Sequence, residues 1–358
     1  MPDTDWRGEL ARTIRTESAL ASRVRLVGRE REGIRSAGGI YPWRVTPYYA
    51  GLMDPEDPSC PIRRQAIPSP EELDDPLGTR DPIGEESRTP APNLIRLYRD
   101  RVAWCVTAAC PVNCRFCFRK RLFASPDTGD YSAAARREAL VYIAATPEIR
   151  DVLVTGGDPL MLPDGTIADI LGRLQAIDHV EIIRIGTRAP VTLPQRITPE
   201  LCATLERFHP LWINTHFNHP KELAPEAVAA CARLAAAGIP MGNQSVLLKG
   251  INDDVPTMLA LVEGLVKARV RPYYLFQCHL APGTAHFRTP VETGIAIVSA
   301  LRGATTGFAV PTYVVDTPRG KVALSPQTIV ERTRDAVVLR CPDGSTWTEP
   351  NPYSPTML

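Results

Sequence analysis

From about residue 101 onward, apolar runs of strand length alternate with helix-length patterns, and this alternation leaves few folds open. The runs lie at 102–107, 151–154, 180–185, 211–215, 240–247, 272–277 and 311–315, with helical patterns at about 132–146, 166–177, 198–208, 224–237, 255–268 and 290–302 between them. Ser132 can cap the first helix and Gly238 can end the fourth. Strands separated by crossover helices build a parallel sheet. Six such units and a last strand predict an α/β fold, an incomplete (β/α)6-type barrel rather than a closed eight-unit one. In barrels of this kind the chemistry sits where strands end and the following loops begin.

The flanks read differently. Residues 1–98 are rich in Pro and Arg and predict an irregular, partly helical N-terminal extension, with helix near 5–35. Residues 99–323 then form the partial barrel and 324–358 a short C-terminal tail. A formal net charge of +1 provides no global field favouring nucleic acid. The chain lacks an apolar run of membrane-spanning length, and its first residues, Met1-Pro2-Asp3-Thr4-Asp5-Trp6, do not read as a signal peptide. The expected location is the cytoplasm, with neither nucleic acid nor membrane as partner.

Nine cysteines, three of them within eight residues, argue against a secreted disulfide framework. The segment is Cys110-Pro-Val-Asn-Cys114-Arg-Phe-Cys117, just past the first barrel strand. Three thiolates at this spacing can serve a [4Fe–4S] cube and leave one iron open. Structural zinc wants a fourth Cys or His, and ferredoxin-type clusters want a fourth Cys. The nearest extra thiol, Cys105, lies within the strand. A zinc site completed from afar, or a plain cysteine-rich loop, is the competing reading. One unit later, Thr155-Gly156-Gly157-Asp158 follows the second strand. Its glycines let backbone approach a ligand closely, and Asp158 offers an acceptor suited to an ammonium group.

The C-x3-C-x2-C arrangement, with Phe116 before the last cysteine, resembles the radical S-adenosylmethionine superfamily. The resemblance implies that methionine chelates the open iron and that Gly156, Gly157 and Asp158 contact its amino group. Longer stretches narrow it. Thr46-Pro-Tyr-Tyr-Ala-Gly-Leu-Met-Asp54, Cys60-Pro-Ile-Arg-Arg-Gln-Ala66, the cysteine segment continuing to Arg121, Thr215-His-Phe-Asn-His-Pro220 and Val310-Pro-Thr-Tyr-Val-Val-Asp316 are similar to the lysine 2,3-aminomutase family. This resemblance implies a radical SAM barrel, S-adenosylmethionine, a [4Fe–4S] cluster and pyridoxal 5′-phosphate. The reaction it implies moves an amino group from C2 to C3 of an amino acid. The cofactor then acts as a radical relay, held by a lysine.

By the same resemblance, Lys321 in Asp316-Thr-Pro-Arg-Gly-Lys321 is that lysine, Arg119 pairs with the substrate carboxylate, and Arg101 holds the cofactor phosphate. His216 and Gln244, at the ends of later strands, resemble residues lining the adenosylmethionine site. Basic residues crowd this point (Arg96, Arg99, Arg101, Arg115, Arg119, Lys120, Arg121), and their bland reading is surface charge.

Lysine-acting members hold the distal ammonium with two aspartates. One matches Asp316; His279 stands at the other. That exchange removes a fixed negative charge, so arginine, ornithine or glutamate compete with lysine as the substrate. A second reading is the same chemistry on the lysine destined for elongation factor P; a third is a non-enzymatic iron–sulfur or zinc-binding scaffold. The resemblance also implies an electron donor such as flavodoxin or ferredoxin. Only Cys341 lies beyond Lys321, and Asp254 occupies a barrel position that is cysteine in zinc-bridged members. A homo-oligomer is therefore expected to lack interchain zinc.

Overall fold

A computed structural model describes residues 5–120, 129–325, 328–333, 335–341 and 343–351. Its main sheet has nine strands in sequence order. β1 (Leu94–Ile95) runs antiparallel to β2 (Arg101–Thr107). β3 (Asp151–Gly156), β4 (Ile182–Gly186), β5 (Leu211–Thr215), β6 (Met241–Leu247), β7 (Arg271–Gln277) and β8 (Thr312–Thr317) follow β2 in parallel. β9 (Gly320–Ala323) then returns antiparallel to β8. The sheet curls into a half-barrel with helices between its parallel strands. This is the incomplete barrel that the alternation predicts.

Local chemistry sets the element ends. The Ser132 hydroxyl accepts the Ala135 N–H and starts the helix Ala133–Ala144. Gly238, at φ 72°, turns the chain after Pro225–Ala236. The helix Asp164–Gln175 buries Ile167, Ile170, Leu171 and Leu174, one stripe at helical spacing. Each such side chain contributes about 1.5–3 kcal/mol on burial. The run predicted from 180 becomes strand only at Ile182, because the Val180 N–H closes a turn onto the Ile177 carbonyl.

Both flanks carry more regular structure than their composition alone specifies. The stretch near 5–35 is three short helices, Trp6–Ala11, Glu17–Ala21 and Gly28–Arg35. Ile14 leaves the helical path to bridge Val45, and the Thr16 hydroxyl restarts a helix by accepting the Ala19 N–H. The C-terminal tail is a three-stranded antiparallel sheet of β10 (Ile329–Arg332), β11 (Ala336–Arg340) and β12 (Thr346–Pro350). Val337 and Leu339 of β11 pack with Val315 and Val322 of the main sheet. Among the described residues, no helix is long and apolar enough to cross a membrane.

Candidate active site

Cys110, Cys114 and Cys117 lie in the loop leaving β2. The Cys117 N–H closes a turn onto the Cys114 carbonyl at 3.2 Å. Between them, Arg115 is buried and forks onto Glu72 at 2.8 and 2.7 Å, while Lys120 reaches the same carboxylate at 2.9 Å. These two basic residues are therefore anchors for the loop, not surface charge. Arg121 lies outside the described residues. Burial pushes the Cys110 thiol well up, and Asp158, Cys117 and Cys114 push it further. Burial and Cys114 push Cys117 up to about 11. Three thiols whose ionised forms oppose one another suit a cationic centre shared between them. Among the described residues, no three His, Cys, Asp or Glu side chains gather closely enough to hold one metal ion. Cys110, Cys114 and Cys117 would be the residues to hold an iron–sulfur cluster rather than a single ion. All nine thiols are free.

The glycine turn after β3 is built against this loop. Gly156 has φ 126°, and a Cβ there would meet the Thr107 carbonyl oxygen at 2.4 Å. A Cβ on Gly157 would meet the Ala109 carbonyl oxygen at 2.5 Å. The close approach is thus made to the chain leading into Cys110. The Asp158 carboxylate is engaged within the protein. Its Oδ1 accepts from the Thr187 hydroxyl at 2.7 Å and the Leu160 N–H at 3.0 Å, and its Oδ2 from the Arg188 N–H at 2.9 Å. The carboxylate ties the β3 and β4 loops together.

Arg188, just past β4, collects several loops. It donates to the Cys114 sulfur at 2.7 Å, to Glu222 and Gln65 at 2.7 Å each, to the Tyr49 hydroxyl at 3.2 Å and to the His216 carbonyl at 3.0 Å. His216 stacks on Phe116 at 5.4 Å. Burial and the Arg188 charge hold its imidazole down to about 3, and so neutral. Among the described residues its Nε2 has no hydrogen-bond partner, nor do the side-chain amide atoms of Asn113 in the cysteine loop. These buried polar atoms are what a polar ligand in the mouth would satisfy.

On the opposite side stands the β8–β9 hairpin. Lys321 lies on β9, directly across from Asp316. Its Nζ is 2.5 Å from Asp316 Oδ1 and 5.2 Å from the Phe276 ring centre. His279 Nε2 is 3.3 Å from Asp316 Oδ2. Burial opposes the Asp316 charge, but Lys321 and His279 outweigh it and hold the carboxyl well below its ordinary range. His279 also stacks on Phe118 at 4.6 Å, and Phe118 is the residue after Cys117. The Tyr98 hydroxyl accepts the Lys321 N–H at 2.7 Å, and the Arg101 guanidinium lies 3.8 Å over the Tyr98 ring.

Arg119 is largely buried and forked onto Glu85, its Nε at 3.1 Å and Nη2 at 2.7 Å, with Nη1 3.5 Å from the Thr155 hydroxyl. Gln244 is not at a strand end: it sits in the middle of β6, opposite Tyr274 of β7.

The sequence profile of the radical SAM superfamily matches residues 104–262, and that of lysine-2,3-aminomutase matches 298–357. The chain is 46% identical over 356 residues to the L-lysine 2,3-aminomutase of Bacillus subtilis (strain 168), covering 98% of this chain and 75% of that protein. It is 48% identical over 356 residues to the L-lysine 2,3-aminomutase of Fusobacterium nucleatum, covering 98% and 83%. It is 45% identical over 347 residues to the glutamate 2,3-aminomutase of Clostridioides difficile (strain 630), covering 96% and 82%.

The chain belongs to the lysine 2,3-aminomutase family.

As a radical SAM aminomutase it is an isomerase that uses S-adenosylmethionine with a [4Fe–4S] cluster. The three thiols, the neutral His216 and the unpartnered Asn113 amide are a donor set that fits this family's needs. Sequence reasoning missed Arg188, Glu222, Gln65 and Glu85, whose partners are distant in the chain. One signal was available for Arg188: Gly186-Thr187-Arg188 ends β4 as the cysteine and glycine segments end β2 and β3.

Proposed function

We propose that this aminomutase moves the α-amino group of free L-lysine to the β-carbon, with Cys110, Cys114 and Cys117 holding the cluster and Lys321 holding pyridoxal phosphate. One observation carries the reading. A continuous run of contacts leads from Cys117 through Phe118, His279 and Asp316 to Lys321, which supports one site shared by the cysteine loop and the lysine hairpin. Bound there, the cluster with S-adenosylmethionine supplies hydrogen abstraction at the β-carbon, and pyridoxal phosphate supplies the carrier for nitrogen migration.

The chain's own residues then bind and orient. Arg101, held over Tyr98 and 41% exposed, reaches a phosphate at the rim. Arg119 presents Nη1 to the substrate carboxylate while Glu85 fixes its other edge. Gly156–Asp158 act through main chain on the methionine of S-adenosylmethionine, since the Asp158 oxygens are engaged. His216, just past β5, and Gln244 on β6 line the same ligand. Asp316 releases Oδ1 when Lys321 turns to its cofactor, and the freed oxygen takes the distal ammonium of lysine. His279 keeps the other oxygen in place.

The test is anaerobic incubation of the reconstituted protein with a mixture of amino acids, S-adenosylmethionine and a reductant, read by mass spectrometry. β-Lysine is the expected product. β-Glutamate without β-lysine would overturn the role given to Asp316.

A further inference from the structure

The Arg188 guanidinium is 10% exposed, and its salt-bridge partner Glu222 is fully buried. Four groups hold it in place: Glu222, Gln65, the Tyr49 hydroxyl and the His216 carbonyl. The rings of Tyr49 and Phe116 lie 5.5 and 5.3 Å away. Its main-chain N–H is tied to Asp158 as well. So held, the side chain presents its remaining nitrogen, Nη1, to the Cys114 sulfur at 2.7 Å. None of those four anchors needs a cluster to be present. The arrangement is therefore a preset donor aimed at one of the three thiols.

We propose that Arg188 is a positioning residue that donates to the Cys114 thiolate and sets how readily the cluster accepts its electron. The inference rests on the reading that Cys110, Cys114 and Cys117 hold the cluster. Cluster potentials follow net charge, hydrogen bonds to sulfur and exposure to water. A reduced cluster carries one more negative charge than an oxidised one. An N–H donated to sulfur from a cation stabilises that extra charge, and low surrounding polarity keeps the effect strong. Glu222, on the other side of the guanidinium, partly offsets it. Arg188 thus favours the reduced cluster and Glu222 restrains it. The same residue connects the Cys114 sulfur to the Asp158 and His216 loops, so electron uptake and ligand loops share one anchor.

The experiment is a spectroelectrochemical titration of the reconstituted full chain, with the reduced cluster read by electron paramagnetic resonance. Wild type is compared with Arg188→Gln, Arg188→Lys and Glu222→Gln. At the potential where wild type is half reduced, Arg188→Gln should lower the reduced-to-oxidised ratio about tenfold, equivalent to about 59 mV for a one-electron couple. Arg188→Lys, which keeps the charge but loses the fork, should recover part of that ratio. Glu222→Gln should raise it above wild type. Wild-type ratios in the Arg188 and Glu222 variants, at full iron content, would overturn the proposal. If Arg188→Gln does not fold, Arg188→Lys and Glu222→Gln carry the same test. Iron content separates the two claims. Cys110, Cys114 or Cys117 variants that keep their iron refute the cluster reading. Variants that lose it, alongside unshifted Arg188 titrations, refute only the role of Arg188.

Discussion

Lys321 and Asp316 face each other across the β8–β9 hairpin, with Nζ 2.5 Å from Oδ1. Cross-strand pairing makes this distance a property of the sheet register rather than of two loose side chains. A one-residue slip would turn Lys321 to the other face. The carboxylate thus holds the Lys321 side chain against the hairpin.

Replacing Lys321 with Met therefore has two separable effects. Pyridoxal absorbance should disappear from the reconstituted protein, because its amine is gone. Iron content should remain at the wild-type level, because the cysteine loop does not touch the hairpin through Lys321. Retention of the pyridoxal spectrum would show that another amine holds the cofactor.

The depressed Asp316 carboxyl fixes the sign of an acid effect. Its folded value lies below its unfolded one, so its contribution is complete above about pH 4 and is lost as pH falls from there. Asp316→Asn should flatten this part of the acid limb in urea denaturation. The same variant should raise KM for lysine at least about tenfold, the loss of one charge-assisted hydrogen bond.

Arg119 and Glu85 form a buried pair, 12% and 4% exposed. Removing one partner strands the other, at a cost of about 3–5 kcal/mol. Arg119→Met should thus destabilise the fold. Arg119→Lys keeps the charge and the fold but loses the planar fork. It should lower kcat/KM by tenfold or more, with the cluster signal unchanged.

What could be read from the chain in advance follows from the range of the interactions involved. The β-α alternation and the cysteine and glycine segments are local, and each is found where strand ends predict. The position of the Gly156–Asp158 turn after β3 is local too, whereas the chain it approaches, Thr107–Ala109, is not specified by the turn itself. Asp158 has all its side-chain partners on other segments, which periodicity does not reveal. The same holds for Arg188, whose contacts run from Tyr49 to Glu222. The C-terminal sheet has a local sign as well: Asp343-Gly344 between alternating runs is a hairpin signal, and it joins β11 to β12.

That sheet supplies the last prediction. Glu349 of β12 is 4% exposed and lines a pocket with His279, Leu280, Val315 and Trp347. The Trp347 indole N–H donates to its Oε2 at 2.8 Å. Burial pushes its carboxyl up to about 7, against the opposing pulls of Trp347 and Arg288. Between its ordinary value of 4.5 and about 7, the native chain holds a proton that the unfolded chain has released. Stability from this group is therefore complete below the lower value and is lost as pH rises through the upper one. The span corresponds to about 3 kcal/mol. Glu349→Gln keeps an oxygen for Trp347 and removes the titration. Urea unfolding at pH 5 should hardly distinguish it from wild type, whereas at pH 8 the variant should be the more stable by about that amount. Equal differences at the two pH values would mean that Glu349 is charged in the native protein throughout, with a cation or water reaching it in the pocket.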